Sequence, residues 1–85
     1  MALASRVRFP NIIRDPTIQG GDPVVAGTRI PVHDVVLTWQ AEQEVAAVLR
    51  AYPRLTEQTL REALAFYDEH RDELNALIRA QLADG

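Results

Sequence analysis

Four stretches of this 85-residue chain hold residues whose types and spacing could do chemistry. The first is Arg54-Leu55-Thr56-Glu57-Gln58-Thr59-Leu60-Arg61, which mixes guanidinium, hydroxyl and carboxamide groups. On a helix that begins at Thr56, the residues Thr56, Gln58 and Arg61 face solvent, with Arg54 just ahead of them. Groups of this kind meet the phosphates and base edges of DNA. They equally suit the solvated face of a plain three-helix unit, since Glu44, Glu57 and Glu62 balance Arg50, Arg54 and Arg61. The second stretch, Gly27-Thr28-Arg29-Ile30-Pro31-Val32, sets a glycine beside Thr-Arg, as in anion-binding turns. One glycine fits no phosphate-loop spacing. A structural hairpin whose Arg29 pairs with a carboxylate is the better reading.

The third stretch is acidic, Asp68-Glu69-His70-Arg71-Asp72-Glu73. On a helix Glu69 and Glu73 share a face with His70 beside it, an arrangement open to a hard cation. Interleaved arginine instead marks a solvated surface held by i, i+3 and i+4 pairs. His33 lies far away and matches no ligand spacing, so neither a metal nor another cofactor is expected. Catalytic residues are not expected either. There is no cysteine, Ser5 is the only serine, and no nucleophile has a base at a recognisable spacing. The fourth stretch is the stripe Leu74, Leu77, Ile78 and Leu82, flanked by Arg71 and Arg79. It is either core, closing over the preceding helices, or an apolar face for a partner's groove. Both readings stay open at this point.

The elements that must position these groups follow from periodicity. Residues 1–31 hold every glycine except Gly85 and most of the prolines, the pattern of extended pieces joined by turns. Val7, Phe9, Ile12 and Ile13 are strand candidates, ended by Asp15-Pro16. Val24-Val25 and Arg29-Ile30 flank Ala26-Gly27-Thr28 closely enough for a tight hairpin, and Pro31 suits the first turn of a helix. Val32, Val35, Val36 and Trp39 then repeat at i, i+3, i+4 and i+7, as do Val45, Val48, Leu49 and Tyr52. Pro53 stops the second helix. Thr56 caps a third, with Leu60, Ala63, Leu64 and Tyr67 inward. Its capping box is expected to be incomplete, because Thr59 stands where Glu or Gln would be. A fourth helix is expected from near Asp68, that residue acting as its cap. The expectation is a mainly α single domain over 1–85: a β/turn segment at 1–31, a helix-turn-helix core at 32–67, and a C-terminal helix at 68–85.

Composition narrows the function classes. The chain is 47% apolar and 25% charged, ordinary for a globular protein. No apolar run spans a membrane and no signal peptide is visible, so a cytoplasmic protein is expected. All nine basic residues are arginine, against twelve acids. The segment through Gln40 carries +1 and the remainder −4, the reverse of the usual balance in a strong nucleic-acid binder.

Taken together, Ile18, Gly21, Pro23, Val25 and Gly27-Thr28-Arg29-Ile30-Pro31-Val32 resemble the first block of the domain-of-unknown-function 433 family. Tyr52-Pro53, Leu55-Thr56, Ala63-Leu64 and Tyr67 resemble its second block, and His70 with Glu73-Leu74 its polar knuckle. Gln40-Ala41-Glu42-Gln43 departs from it, where members commonly carry a Gly and a Ser-Pro or Thr-Pro helix start. The resemblance implies a homeodomain-like three-helix core with a small β-hairpin in front. It also implies a VapB-type antitoxin of a type II toxin–antitoxin system, partnered by a PIN-like ribonuclease toxin and repressing its own promoter DNA as a homodimer or larger complex. The toxin contact is then expected on the C-terminal helix, through Arg71, Leu74, Leu77, Ile78 and Arg79. The alternatives are a stand-alone helix-turn-helix regulator, or a dimerisation or adaptor module that binds no DNA.

Overall fold

A computed structural model describes residues 8–84; Val7, a strand candidate, and Ser5 lie outside the described residues. The chain runs through β1 (Ile12–Ile13), β2 (Val24–Val25), α1 (Val32–Glu42), α2 (Val45–Ala51), α3 (Glu57–Glu69) and α4 (Arg71–Asp84). The strands pair antiparallel with Ile12 opposite Val25 and Ile13 opposite Val24. The turn after β2 forms where expected: Val25 N–H donates to Ile30 O at 3.0 Å and Thr28 N–H to Val25 O at 3.1 Å. Arg29-Ile30, however, is not a strand, and the partner of β2 is β1. The Thr28 hydroxyl takes the Ile30 N–H at 3.0 Å. Pro31, which makes a lone bridge to Val24, has no N–H with which to extend the ladder.

Helix α1 is the axis around which the other helices pack. Its Val32, Val35 and Val36 are wholly buried, together with Val48 of α2, Ala63 of α3 and Leu74 of α4. Pro31 forms the N-cap of α1, its carbonyl accepting from Asp34 and Val35. At the other end Gln43 adopts φ +54°, the left-handed conformation that a glycine takes without strain. This residue lies in the stretch Gln40-Ala41-Glu42-Gln43 that departs from the family pattern, so a glutamine adopts the left-handed conformation at the end of α1. The start of α2 is affected in the same way, since the N-cap Glu44 makes no side-chain capping bond.

The boundary between α3 and α4 falls at His70, not at Asp68 as expected. Asp68 remains inside α3 and pairs with Arg71 at 2.9 Å. His70 leaves helical geometry at φ −132°, and its carbonyl accepts the Leu74 N–H at 3.0 Å to begin α4. Its ring stacks on Phe66 with centroids 4.0 Å apart, and Phe9 meets Phe66 edge-on at 5.3 Å. Nδ1 of His70 sits 3.0 Å from the Phe66 carbonyl, which can only accept, so this nitrogen carries the proton. The aromatic stack fixes the corner and sends α4 back antiparallel along α1. The far ends of that pair meet where His33, buried near the start of α1, donates from Nε2 to Gln81 Oε1 at 3.0 Å.

Two substitutions test the reading of the α1–α2 junction. Gln43→Gly removes the left-handed strain and Glu44→Ser adds a capping acceptor. Each is expected to raise unfolding stability by roughly 0.5–1 kcal/mol in urea denaturation.

Candidate partner-binding surfaces

The two motif blocks of the sequence meet in space. Arg54, in the connection between α2 and α3, donates from Nη2 to the Gly27 carbonyl at 2.8 Å. Gly27 is exposed at φ +77°, so the turn presents this carbonyl through a conformation that suits glycine. Arg29 of the same turn lies near Asp15 and helps to hold its carboxyl below the usual value, after the larger effect of hydrogen bonds from the Thr17 backbone and hydroxyl. The block is thus a structural turn rather than the expected hairpin, Arg29 forms no ion pair among the described residues, and Arg54 is engaged in holding the turn against the helices.

The remaining helix-turn-helix candidates are also largely engaged within the chain. Thr56 accepts from Thr59 N–H at 3.1 Å, and the Thr59 hydroxyl accepts from Thr56 N–H at 2.9 Å. A reciprocal capping box therefore exists, contrary to expectation. A hydroxyl reaches the cap backbone as a carboxylate would, and its own proton goes back to Thr56 O at 3.1 Å. Arg61 donates from Nε to Glu57 at 2.9 Å. Gln58 is exposed, without a side-chain hydrogen bond among the described residues. The exposed positions of α3 also include Glu57, Asp68 and Glu69, a poor match for phosphates.

Much of the acidic stretch serves a purpose that spacing did not disclose. The N-terminal arm clasps α3 and α4 through their carboxylates. Arg8 pairs with Glu69 at 2.6 Å, and Arg14 donates from Nη2 to Glu73 at 2.9 Å. Glu62 takes both the Asn11 backbone N–H at 2.6 Å and its side-chain amide at 2.9 Å. These partners lie 51–61 residues apart in sequence, so helical periodicity carries no sign of them. Arg71–Asp68 is the local pair that the charge pattern did foretell. Among the described residues no group of three metal-ligating side chains comes together.

The C-terminal stripe divides between its two readings. Leu74 and Ile78 are buried against the core and are not available to a partner, which corrects their place in the expected toxin contact; Leu77 is half-buried. Leu82 is 62% exposed. Arg71 lies over the Tyr67 ring at 5.2 Å, and Arg79 is exposed with no ion pair among the described residues. A groove of about 350 Å³ opens between the end of α1 and the α3–α4 corner. Val36, Trp39, Leu64 and Tyr67 give it an apolar lining, with Arg71 and Asp68 at its rim.

The fold defines a small, mainly helical module with a two-stranded antiparallel sheet near its N-terminus. The chain belongs to the DUF433 family, described as a protein of unknown function, whose model matches residues 12–67, from β1 into α3. An uncharacterized protein, y4eO, from Sinorhizobium fredii is 42% identical over 50 residues, 59% of this chain; the chain spans 23% of that relative's length. A crystal structure of a DUF433 member from Anabaena variabilis superposes with a TM-score of 0.76 at 29% identity, covering 81% of this chain and 68% of that one. Among the described residues no helix is long and apolar enough to cross a membrane.

The arm contacts give a pH prediction. The Arg14 hydrogen bond holds the Glu73 carboxyl below its ordinary 4.5, against the opposing effect of burial. The pair's stabilisation is therefore full above that value and lost as pH falls through the depressed one. An Arg14→Ala/Glu73→Ala double-mutant cycle should give a coupling of about 0.5–1 kcal/mol at neutral pH. The coupling should vanish once the folded-state carboxyl is protonated.

Proposed function

We propose that this chain is the antitoxin of a type II toxin–antitoxin pair, which binds and silences a PIN-like ribonuclease and, in that complex, binds its own promoter. The observation that supports this reading most is the division of labour among the arginines. Two of the three helix-turn-helix cations, Arg54 and Arg61, are engaged with Gly27 and Glu57, while Arg50 stands exposed on α2. Arg79 on α4 also stands exposed beyond the buried Leu74 and Ile78, near the exposed Leu82. A guanidinium on a helix that the core already holds in place suits the carboxylate cluster of a metal-dependent nuclease, since arginine binds carboxylates in a bidentate fork. Arg71 takes a supporting part at the rim of the groove, already paired to Asp68. Leu77 points away from Arg79 on the helix, so one flat partner surface would not grip both.

DNA binding is assigned to the complex rather than to the free chain. The net charge of −3 and the internal pairing of Arg61 leave little phosphate-neutralising capacity in one copy. In the complex, Gln58 and the first turn of α3 remain the groups placed to meet a groove.

Co-expression with the product of the adjacent gene, size-exclusion chromatography and a ribonuclease assay test the proposal. A stable complex with suppressed nuclease activity is expected. Arg79→Glu should relieve inhibition at least tenfold while the variant still folds, as an exposed side chain allows. Absence of a complex, with the free chain shifting DNA in a salt-sensitive manner, would replace this reading with that of a stand-alone regulator.

A further inference from the structure

Helix α4 carries a projecting side chain near one end and an apolar groove at the other. Leu82 lies eleven residues beyond Arg71, close to three full turns, so the two share a face about 16 Å apart along the axis. Leu82 is one of two large apolar side chains that stand exposed among the described residues. The groove that Arg71 borders is floored by Trp39, Leu64 and Tyr67. Asn75 lies between the two, anchored by the Tyr67 hydroxyl at 2.8 Å. Asp72 and Arg79 flank the same face two turns apart, both exposed and neither forming an ion pair among the described residues.

From this arrangement we infer that the outer face of α4 binds a second copy of the chain. In an antiparallel α4–α4 pair, a two-fold axis between Asn75 and Ala76 sets Asp72 against the second copy's Arg79, and Arg79 against the second copy's Asp72. The same axis carries Leu82 to the second copy's α3–α4 corner, where the groove opens, and brings the second copy's Leu82 to its own. A closed two-fold dimer needs this kind of self-complementary patch, with each projection and its recess displaced to opposite sides of the axis. Charge complementarity decides the direction: a parallel pair in register would stack Arg79 on Arg79 and Asp72 on Asp72. The buried side of α4, with Leu74 and Ile78, is untouched, so the dimer forms without refolding. The family resemblance implies a homodimer without naming its surface; the α4 face and antiparallel direction named here do not depend on the antitoxin reading, but Arg79 is common to both surfaces, so toxin and second copy exclude one another there.

Sedimentation equilibrium of the isolated chain tests this, with no toxin present. A concentration-dependent monomer–dimer equilibrium is expected. Arg79→Asp should raise its Kd about tenfold or more, since one substitution breaks both symmetric pairs. Leu82→Glu should do the same. The exchange Asp72→Arg/Arg79→Asp should restore the wild-type Kd while leaving inhibition of the toxin impaired, which separates this inference from the preceding one. Circular dichroism of each variant should match the parent. A monomer up to about 1 mM, a dimer indifferent to Arg79→Asp, or an exchange variant that fails to re-associate would overturn the inference.

Discussion

The stack of His70 on Phe66 is the contact on which the arrangement of the helices turns. No proline or glycine interrupts the chain between Thr56 and Asp84, so backbone chemistry alone would let one helix run through. The break comes from the side chains. His70 donates a hydrogen bond from Nδ1 to the Phe66 carbonyl and lays its ring against that residue's ring, while Phe9 closes the edge. With the corner fixed, α4 returns along α1, and Leu74 and Ile78 reach the valines of α1. A fully buried leucine contributes roughly 1.5–3 kcal/mol. In a domain of this size that is a large share of the total stability.

The N-terminal arm reinforces the same corner from outside. Arg8, Asn11 and Arg14 engage Glu69, Glu62 and Glu73, on both sides of His70. The guanidinium of Arg14 also lies 5.7 Å from the Phe66 ring. Carboxylates that look like a solvated acidic surface are thus tied down by residues from the opposite end of the chain. The consequence reaches function, because Arg8 and Arg14 of the arm and Arg54 and Arg61 of the helix-turn-helix are engaged internally. Arg79 lies outside this network, on the outer side of a helix whose inner side is core.

Local order was legible in the sequence, and long-range partnership was not. The valines at i, i+3 and i+4 in α1, Pro53 after α2 and Thr56 before α3 each act through neighbours within one turn, so spacing discloses them. The capping role of Thr59 escaped because the expected residue is a longer acid, although a hydroxyl serves the same donor. The helix break was expected two residues early, at Asp68, because its exact place depends on an aromatic stack completed by Phe9, far away in sequence. The stripe on α4 was visible as a stripe, but periodicity cannot say which of its residues a neighbouring helix covers. Burial separates Leu74 and Ile78 from Leu82. The DNA-facing candidates show the same limit, since Arg54 is occupied by a turn that comes 27 residues earlier.

Underlying both functional readings is the claim that α4 is docked through Leu74 and Ile78 in the free chain and offers its outer face to partners. Amide hydrogen exchange on the isolated protein measures this directly, because protection reports the free energy of local opening. The account predicts that the amides of Leu74 and Ile78 exchange as slowly as those of Val35 and Val36, opening with the core as a whole. Exchange of the α4 amides at the rate of a fraying segment, beside a protected α1, would contradict it and return Leu74 and Ile78 to the partner-binding surface.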